Sequence, residues 1–335
     1  MTQSLAPAAP VTAAGLSRPR RLLRAVAVVS CLPYLGLKAA WIAGSHVGIP
    51  DGSPLLDHRA AMAVANGLSL LMDSCVIVLA LVLTRPWGLR VPAWLLAIPV
   101  WIATGLLAPI MAGFPLQLLA RIVVGDTATA SGPGREPFLH EWVFGVVYGG
   151  FILQGLALGS LFVLHARGRW GHLWRGRVWD LPLGVAGAGR RVTAVAAAVL
   201  ALFPLAVRLF WACGGTDGLS EGRVADRTSD FYVLEGLYVA FLVLAAVGGL
   251  LLAFRRGLAL PVTVPLALTW ICSAAVACWG GWMLLGSLAG TDDPADRPTR
   301  LMLLTYAGQM TVGLLLASVG ARFLALRSAT APKRP

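Results

Sequence analysis

Two basic side chains lie inside long apolar stretches of the sequence, where a charge is costly. Lys38 and Arg208 are each the only charged residue of their stretch, and ionisable residues in such places are default candidates for functional sites. A tryptophan and two glycines follow each cation, and successive amides of a glycine turn can bind an anion. We therefore expect Lys38, Trp41, Arg208 and Trp211 to help bind an anionic group. The alternative is that the cations extend to the interface, beside interfacial tryptophans and a tight glycine turn.

Asp73 is the one acidic residue well inside a predicted span, where it could relay protons, bind a cation or be a protonated hydrogen-bond partner. A helix rises about 1.5 Å per residue, which places Asn66 near the depth of Lys38 and Glu235 near the depth of Arg208. We predict an ion pair between Arg208 and Glu235 and a hydrogen bond between Lys38 and Asn66. Because its partner is neutral, Lys38 is expected to be the better anion site.

Other polar residues give weaker signals. The sequence contains no P-loop, no Gly-x-Ser-x-Gly elbow, no His-Glu-x-x-His and no dinucleotide fingerprint. Gln154, Thr305 and Gln309 are expected to form hydrogen bonds between helices. The histidines have no close metal-ligand spacing, and the five cysteines fall in or at the ends of predicted spans. We therefore predict no metal site, no cofactor and no disulfide framework.

The composition predicts the kind of element that must position these residues. A soluble domain carries about 25% charged residues, whereas 13% of these 335 residues are charged, 58% are hydrophobic and the mean hydropathy is +0.77. A spanning helix needs about 20 apolar residues. Eight stretches qualify: 22–43, 60–84, 92–113, 142–165, 192–214, 231–254, 261–288 and 301–325. We predict an all-α integral membrane protein, which excludes a soluble enzyme and a disordered protein.

The basic residues predict the orientation of the spans. Eighteen of the 27 lysine and arginine residues lie in the two terminal segments and in the loops that follow the second, fourth and sixth predicted spans. These segments contain only one acidic residue, Asp180. We predict a plasma (inner) membrane protein with both termini in the cytoplasm. The same excess of positive charge predicts attraction to anionic lipid headgroups. The expected partners are the bilayer, these headgroups and a small anionic or amphipathic ligand. No nucleic-acid partner is expected, and the sequence does not determine the oligomeric state.

The sequence also repeats itself. The Lys/Arg-x2-Trp-x2-Gly-x3-Gly pattern that begins at Lys38 recurs 170 positions later at Arg208, and further matches follow at spacings of 169 and 158. We predict two parallel four-helix repeats, residues 20–165 and 191–326, related by a pseudo-two-fold axis along the membrane normal. Residues 114–125 are extra in the first repeat and are predicted to be an interfacial amphipathic segment or an extension of the third helix.

The remaining segments are predicted to be cytoplasmic: a disordered tail (1–19), a basic linker between the repeats (166–190) and a second tail (327–335). Three functions fit this organisation. The first is binding or transport of a small anionic or amphipathic molecule at the repeat interface, held by Lys38 and Arg208. The second is a membrane-embedded enzyme acting on a lipid or isoprenoid, with Asp73 as acid near His58 and Glu141. The third is a non-catalytic accessory or signalling subunit.

Overall fold

The computed structural model describes residues 17–51, 53, 59–125, 139–178, 187–254, 259–288 and 293–330. Its α-helices are α1 (Arg18–Val29), α2 (Leu32–Ile42), α3 (Arg59–Thr84), α4 (Ala93–Val124), α5 (Glu141–Trp170), α6 (Ala188–Ala212), α7 (Glu221–Ala225), α8 (Ser229–Phe254), α9 (Thr263–Leu288) and α10 (Arg300–Thr330). Eight spans in this part of the chain are long and apolar enough to cross a membrane, with α1 and α2 together forming the first. The predicted all-helical class with eight spans is confirmed.

Two ends of the helix bundle serve as reference points. The turn face is the end that carries the turns at 43–49 and 213–219, and the terminal face is the end where α1 begins and α10 ends. The first half comprises residues 18–174 and the second half residues 188–330. Large apolar side chains cover the outside of the bundle, as at Val64 and Ile122, which are 74% and 77% exposed. Extended apolar surface of this kind indicates contact with a membrane.

The first span is broken near its middle. Proline at position 33 lacks the amide hydrogen that would bond to the Val29 carbonyl, so the helix cannot continue unchanged through this point. The chain closes α1 through the Ser30 and Cys31 amides and starts α2 at Leu32. The Cys31 thiol donates to the Ala27 carbonyl at 3.1 Å and compensates one freed acceptor.

The segment 114–125 is an extension of the third spanning helix, which decides between the two predicted alternatives. Helix α4 continues through Pro115 to Val124 and ends at Gly125, whose φ of 69° provides a left-handed cap. The predicted end at residue 113 is therefore eleven residues too early. Because this helix is long, it projects over the turn face beside α5 and α8.

Helices also extend into the segments predicted to be linker and tail. Helix α5 continues to Trp170, α6 begins at Ala188, and α10 continues to Thr330. The predicted boundaries followed the first arginines, but an arginine near a helix end can reach the interface with its long side chain. The parts of the predicted tails and linker at 1–16, 179–186 and 331–335 lie outside the described residues.

The two halves are joined where α4 packs against α8 and α9. Gly105 allows the close approach, because a Cβ there would overlap the Ala274 carbonyl group. The Trp101 indole donates to the Ser273 hydroxyl at 3.3 Å. In the other direction, the Trp279 indole donates to a carbonyl of α4 at 3.2 Å. This seam ends at the turn face, where the halves diverge around a cavity.

Candidate ligand-binding site

The two glycine turns close the first spanning helix of each half in the same way. The glycine after the helix has a positive φ, 92° at Gly44 and 96° at Gly214. The Gly44 amide donates to the Trp41 carbonyl at 3.1 Å, and the Ser45 amide donates to the Ala40 carbonyl at 2.9 Å. The corresponding bonds of the second turn, 170 positions later, are 3.0 and 2.9 Å long. This pattern is the Schellman motif of a helix C-terminus.

The first two amides of each turn therefore bond to the helix, which favours the tight-turn alternative over an anion-binding nest. They saturate carbonyl groups that a helix end otherwise leaves without a partner. The tryptophan completes each turn: Trp41 Nε1 donates to the Val47 carbonyl at 2.7 Å, and Trp211 Nε1 donates to the Asp217 carbonyl at 3.1 Å. The glycine–tryptophan pattern builds a rigid end to the helix.

The second glycine of each turn lies against the start of a later helix. Gly48 and Gly218 have φ values of 78° and 79°. A Cβ at Gly48 would overlap Val143 near the start of α5, and a Cβ at Gly218 would overlap Leu301 at the start of α10. Each turn thus fixes the first spanning helix of its half against the fourth. The side chains just below the turns are positioned by this contact.

Lys38 in α2 forms the predicted hydrogen bond with Asn66 in α3. Lys38 Nζ donates to Asn66 Oδ1 at 2.8 Å. The ammonium group also lies 5.0 Å from the ring centroid of Tyr34 and 4.8 Å from that of Trp41. Contacts with aromatic faces compensate part of the cost of removing a cation from water. The hydrogen-bond and ring partners of Lys38 are thus neutral; Asp73 is not hydrogen-bonded to it, although the two charges interact through space.

Arg208 in α6 forms the predicted ion pair with Glu235 in α8. Arg208 Nη1 donates to Glu235 Oε1 at 2.7 Å, and both side chains are buried. Nη2 donates to the amide oxygen of Gln309 in α10 at 2.9 Å, so three helices meet at one guanidinium group. The ring centroids of Tyr238 and Tyr306 lie 4.4 and 5.4 Å away. This many partners is what makes a buried ion pair tolerable.

Asp73 lies deeper in the first half and is bonded to a glutamine. Gln154 Nε2 donates to Asp73 Oδ1 at 3.4 Å, and these residues are 1% and 5% exposed. At spacings of 169 and 158, the matching positions in the second half are Leu242 and Val312, which are fully buried apolar residues. The polar pair of the first half therefore has an apolar counterpart in the second.

Thr305 does not form the predicted bond between helices. Its hydroxyl donates to the Leu301 carbonyl, one turn earlier in α10, at 2.7 Å. Threonine in a helix often satisfies its hydroxyl in this way. Gln154 and Gln309 have longer side chains that reach a neighbouring helix, and for them the prediction is confirmed.

A cavity of about 890 Å³ opens at the turn face between the two halves. The adjoining ends of α4 and α5 line one side, and α6, α8, α9 and α10 line the other. Ligand pockets typically measure about 300–1,000 Å³. Nine aromatic residues line it, among them Phe114, Tyr148, Trp211, Tyr238, Trp279 and Trp282. The Arg208–Glu235 ion pair contributes buried polar groups to its wall.

Only part of the predicted site lines this cavity. The predicted residues that line it are Arg208, Trp211 and Glu235. Those that do not are Lys38, Trp41, Asn66 and Asp73, which lie in the first half. The half that was expected to hold the better anion site is therefore not the half whose cation faces the cavity.

An ion pair at the mouth of the cavity was missed by the sequence analysis. Arg121 Nε donates to Asp230 Oδ1 at 3.0 Å, and its Nη2 donates to Asp230 Oδ2. This bidentate pair joins the last turns of α4 to the start of α8 and bridges the halves. The sequence does contain one indication of this ion pair, because Arg121 is the only charged residue between positions 91 and 124.

The residues named in the enzyme hypothesis do not form one site. Glu141 lines the cavity whereas Asp73 does not, and His58 lies outside the described residues. Within the described part of the chain, no group of three or more His, Cys, Asp or Glu side chains is placed to hold a metal ion.

The fold and cavity together define a multi-pass helical protein with eight apolar spans and a pocket open at one end of the bundle. No family model matches the chain, and no significant match is found among curated proteins or solved structures. The chemistry of the pocket is therefore the basis for a functional proposal.

Proposed function

We propose that this membrane protein binds a small amphipathic molecule in the turn-face cavity, and that this binding is the first step in transporting the molecule across the membrane. The observation that carries the proposal is the cavity itself, about 890 Å³ in volume, with aromatic walls and a buried ion pair. A concave apolar pocket with a few fixed polar groups is the usual form of a small-molecule site. A purely structural accessory subunit gives no reason for such a cavity between its halves.

The buried ion pair forms a fixed polar part of the cavity wall. Arg208 Nε and Glu235 Oε2 have no hydrogen-bond partner among the described residues, but both atoms are enclosed by protein and a water-sized molecule does not reach them. A ligand in the cavity therefore contacts the aromatic rings around the ion pair and not these two atoms. The surrounding rings of Trp211 and Tyr238 supply the apolar contact area.

Transport would require the site to open toward each face in turn. On the side toward the terminal face, the second half is closely packed around Leu242, Val312 and Leu316, all fully buried. Access from the turn face with a closed core below it is the form expected of one state of an alternating-access carrier.

We also propose that the turn face is extracellular and that the membrane is the plasma membrane. The support is the concentration of eighteen of the 27 basic residues toward the terminal face, by the positive-inside rule. Reporter fusions at Pro54, Gly134, Gly222 and Pro294 should all report an external location. Pro54 and Gly134 lie outside the described residues. A cytoplasmic signal from any of the four would contradict this orientation.

The two halves are, in this proposal, parallel copies of one four-helix unit. The support is local: the Schellman turns at Gly44 and Gly214 have the same bonds, and both tryptophans bond six residues ahead. An experimental structure tests it through the superposition of residues 20–165 on 191–326. Failure of that superposition outside 114–125, or a rotation axis in the membrane plane, would contradict it.

The binding proposal is tested by filling the cavity. Gly145 in α5 and Gly286 in α9 line it, and a Cβ at either position would meet open space. Tryptophan at these positions should occupy the cavity without displacing the backbone. Gly159→Trp is the matched control, because Gly159 lies on α5, is surrounded by open space and does not line the cavity.

The measurement is calorimetric titration of the full-length protein in phosphatidylcholine nanodiscs. The ligands are three hexyl compounds with neutral, cationic and anionic headgroups: hexyl glucoside, hexyltrimethylammonium and hexyl sulfate. At least one should bind to the wild type and to Gly159→Trp, with affinity at least about tenfold weaker in Gly145→Trp and Gly286→Trp, a difference of about 1.4 kcal/mol. Equal binding to all four proteins, or no binding to the wild type, would contradict the proposal.

A further inference from the structure

The wall of the turn-face cavity carries more negative than positive charge. Its carboxylates are Glu141, Asp226, Asp230, Glu235 and Asp296, and its guanidinium groups are Arg121, Arg208 and Arg223. The described lining residues include five carboxylates, three guanidinium groups and no lysine or histidine, a formal excess of two negative charges. Asp226 and Asp296 each have a further interaction within the protein. Two of the arginines form ion pairs within the wall, Arg121 with Asp230 and Arg208 with Glu235.

The carboxylates are spread around the cavity. Glu141 begins α5, Asp226 follows α7, and Asp296 lies in the turn before α10. They do not converge on one point, and the described residues contain no group of three that could hold a metal ion. A negative potential distributed over a concave surface attracts a cation without fixing it to one point. Such a field suits a bulky organic cation better than a small metal ion.

Besides carboxylates, the cavity wall offers aromatic faces that can bind an organic cation. Trp211, Trp279 and Trp282 line the cavity, and tryptophan is the aromatic residue that attracts cations most strongly. The wall already holds one cation in this way: the Arg208 guanidinium lies 4.4 Å from the ring centroid of Tyr238 and 5.5 Å from that of Trp211. Aromatic cages are the usual recognition surface for quaternary ammonium groups.

We propose that the ligand of this cavity is an organic cation, with a quaternary ammonium or similarly weakly hydrated headgroup joined to a short apolar body. This inference rests on the proposed function and narrows its ligand class. The headgroup lies against the tryptophan faces near the rim carboxylates, and the apolar body extends toward Tyr238 and Tyr306. It replaces the expectation of an anion, because Arg208, the one buried cation among the described lining residues, is committed to Glu235 and Gln309.

The test uses the same hexyl compounds, because they differ mainly in their headgroup. In phosphatidylcholine nanodiscs, hexyltrimethylammonium should bind to the wild type at least about tenfold more tightly than hexyl glucoside or hexyl sulfate. Raising the salt concentration should weaken its binding, since exposed charges at the rim are screened. Equal or tighter binding of hexyl sulfate or hexyl glucoside would overturn the inference while leaving the binding proposal intact. Absence of binding by all three would overturn both.

Matched variants assign the effect to the cavity wall. Glu141→Gln should weaken hexyltrimethylammonium binding several-fold, whereas Glu221→Gln, at an exposed glutamate outside the cavity, should not. Trp282→Leu should weaken cation binding more than binding of the neutral compound. The same change at Trp142, which is 49% exposed and outside the cavity, should affect neither. Equal effects within either pair, in variants with wild-type thermal stability, would overturn the inference.

Discussion

In the first half of the molecule the cation and the intramembrane acid interact through space but are hydrogen-bonded to different partners. Lys38 is bonded to the neutral Asn66, just below the glycine turn. Asp73 lies seven positions further along the same helix, about two helical turns away, and is bonded to Gln154. Each charged group has an amide partner, and none of these four residues lines the turn-face cavity.

The second half brings the same chemical groups together. Arg208, Glu235 and Gln309 meet below a turn of the same geometry, and the ion pair lines the cavity. Glu235, the acid of this cluster, lies at the sequence position that matches Asn66 of the first half. The comparison teaches that a cation below a turn of this geometry can bond either to a neutral amide alone or to an acid and an amide together. Where they meet, the charges cancel, and the remaining rings and carboxylates determine what the cavity attracts.

The largest loss of stability is expected when Glu235 is removed from its contacts with Arg208. Glu235→Leu leaves Arg208 buried without its counter-charge, which should lower the free energy of unfolding by about 3–5 kcal/mol. In the first half, Asn66→Leu should cost less, about 1–3 kcal/mol, because Lys38 is only half-buried and keeps its contacts with Tyr34 and Trp41. Unfolding in detergent micelles, followed by circular dichroism, measures both.

The double variant Arg208→Met/Glu235→Leu is the control for this comparison. Removing both charges leaves no uncompensated group, so the double variant should be more stable than Glu235→Leu alone. A loss below about 1 kcal/mol in Glu235→Leu, or a double variant less stable than the single one, would show that the ion pair is not needed to neutralise Arg208.

The next effect concerns two glycines at matching positions in the fourth spanning helix of each half. A Cβ at Gly313 would lie 2.5 Å from the backbone nitrogen of Ala277 in α9, whereas a Cβ at Gly155 would meet the flexible side chain of Met111. Gly313→Ala should therefore destabilise the protein by about 1–3 kcal/mol. Gly155→Ala should be nearly neutral, because Met111 can move and alanine favours the helix. Equal loss of thermal stability in the two variants would contradict this difference in packing.

A smaller effect should be the same in both halves. Trp41→Phe and Trp211→Phe each remove one hydrogen bond from an indole nitrogen to a turn carbonyl. Each should cost about 1 kcal/mol, and Trp142→Phe should cost little, since Trp142 is exposed on the same face. Thermal unfolding of the three variants tests this prediction. A loss of stability in only one of Trp41→Phe and Trp211→Phe would show that the two turns are not equivalent.

The smallest effect is expected when the first half receives the apolar pair of the second. Asp73→Leu/Gln154→Val introduces the residues found at Leu242 and Val312, and replacing both partners of a buried hydrogen bond is nearly neutral. Gln154→Val alone should cost about 1–3 kcal/mol, because it leaves Asp73 without its partner. The double variant should also bind hexyltrimethylammonium as the wild type does. A loss of binding in that variant would give Asp73 a role in the site.

The pairings of the polar residues could be predicted because helical rise fixes the level of each residue within its span. This was enough to bring Arg208 to Glu235 and Lys38 to Asn66. It could not reveal the function of the glycine turns, since a glycine with positive φ after a helix fits both an anion nest and a helix cap. The bonds of Gly44 and Gly214 identify the cap.

The cavity itself could not be predicted from the sequence. It depends on how far α4 continues beyond residue 113 and on which of its faces turns toward α8. Neither is determined by local hydrophobicity, because α4 is apolar on all sides. Arg121 is the one marker of that orientation, and its partner Asp230 is more than a hundred residues away in the sequence.

The most direct test of where the ligand binds is photo-crosslinking with a diazirine derivative of hexyltrimethylammonium in phosphatidylcholine nanodiscs, followed by mass spectrometry of the labelled peptides. The turn-face cavity predicts labels on peptides that contain Trp279, Trp282 or Tyr148, and these labels should disappear when unmodified hexyltrimethylammonium is added in excess. Labelling centred on Lys38 and Tyr34 in α2, competed in the same way, would contradict the assignment of the site to the turn-face cavity.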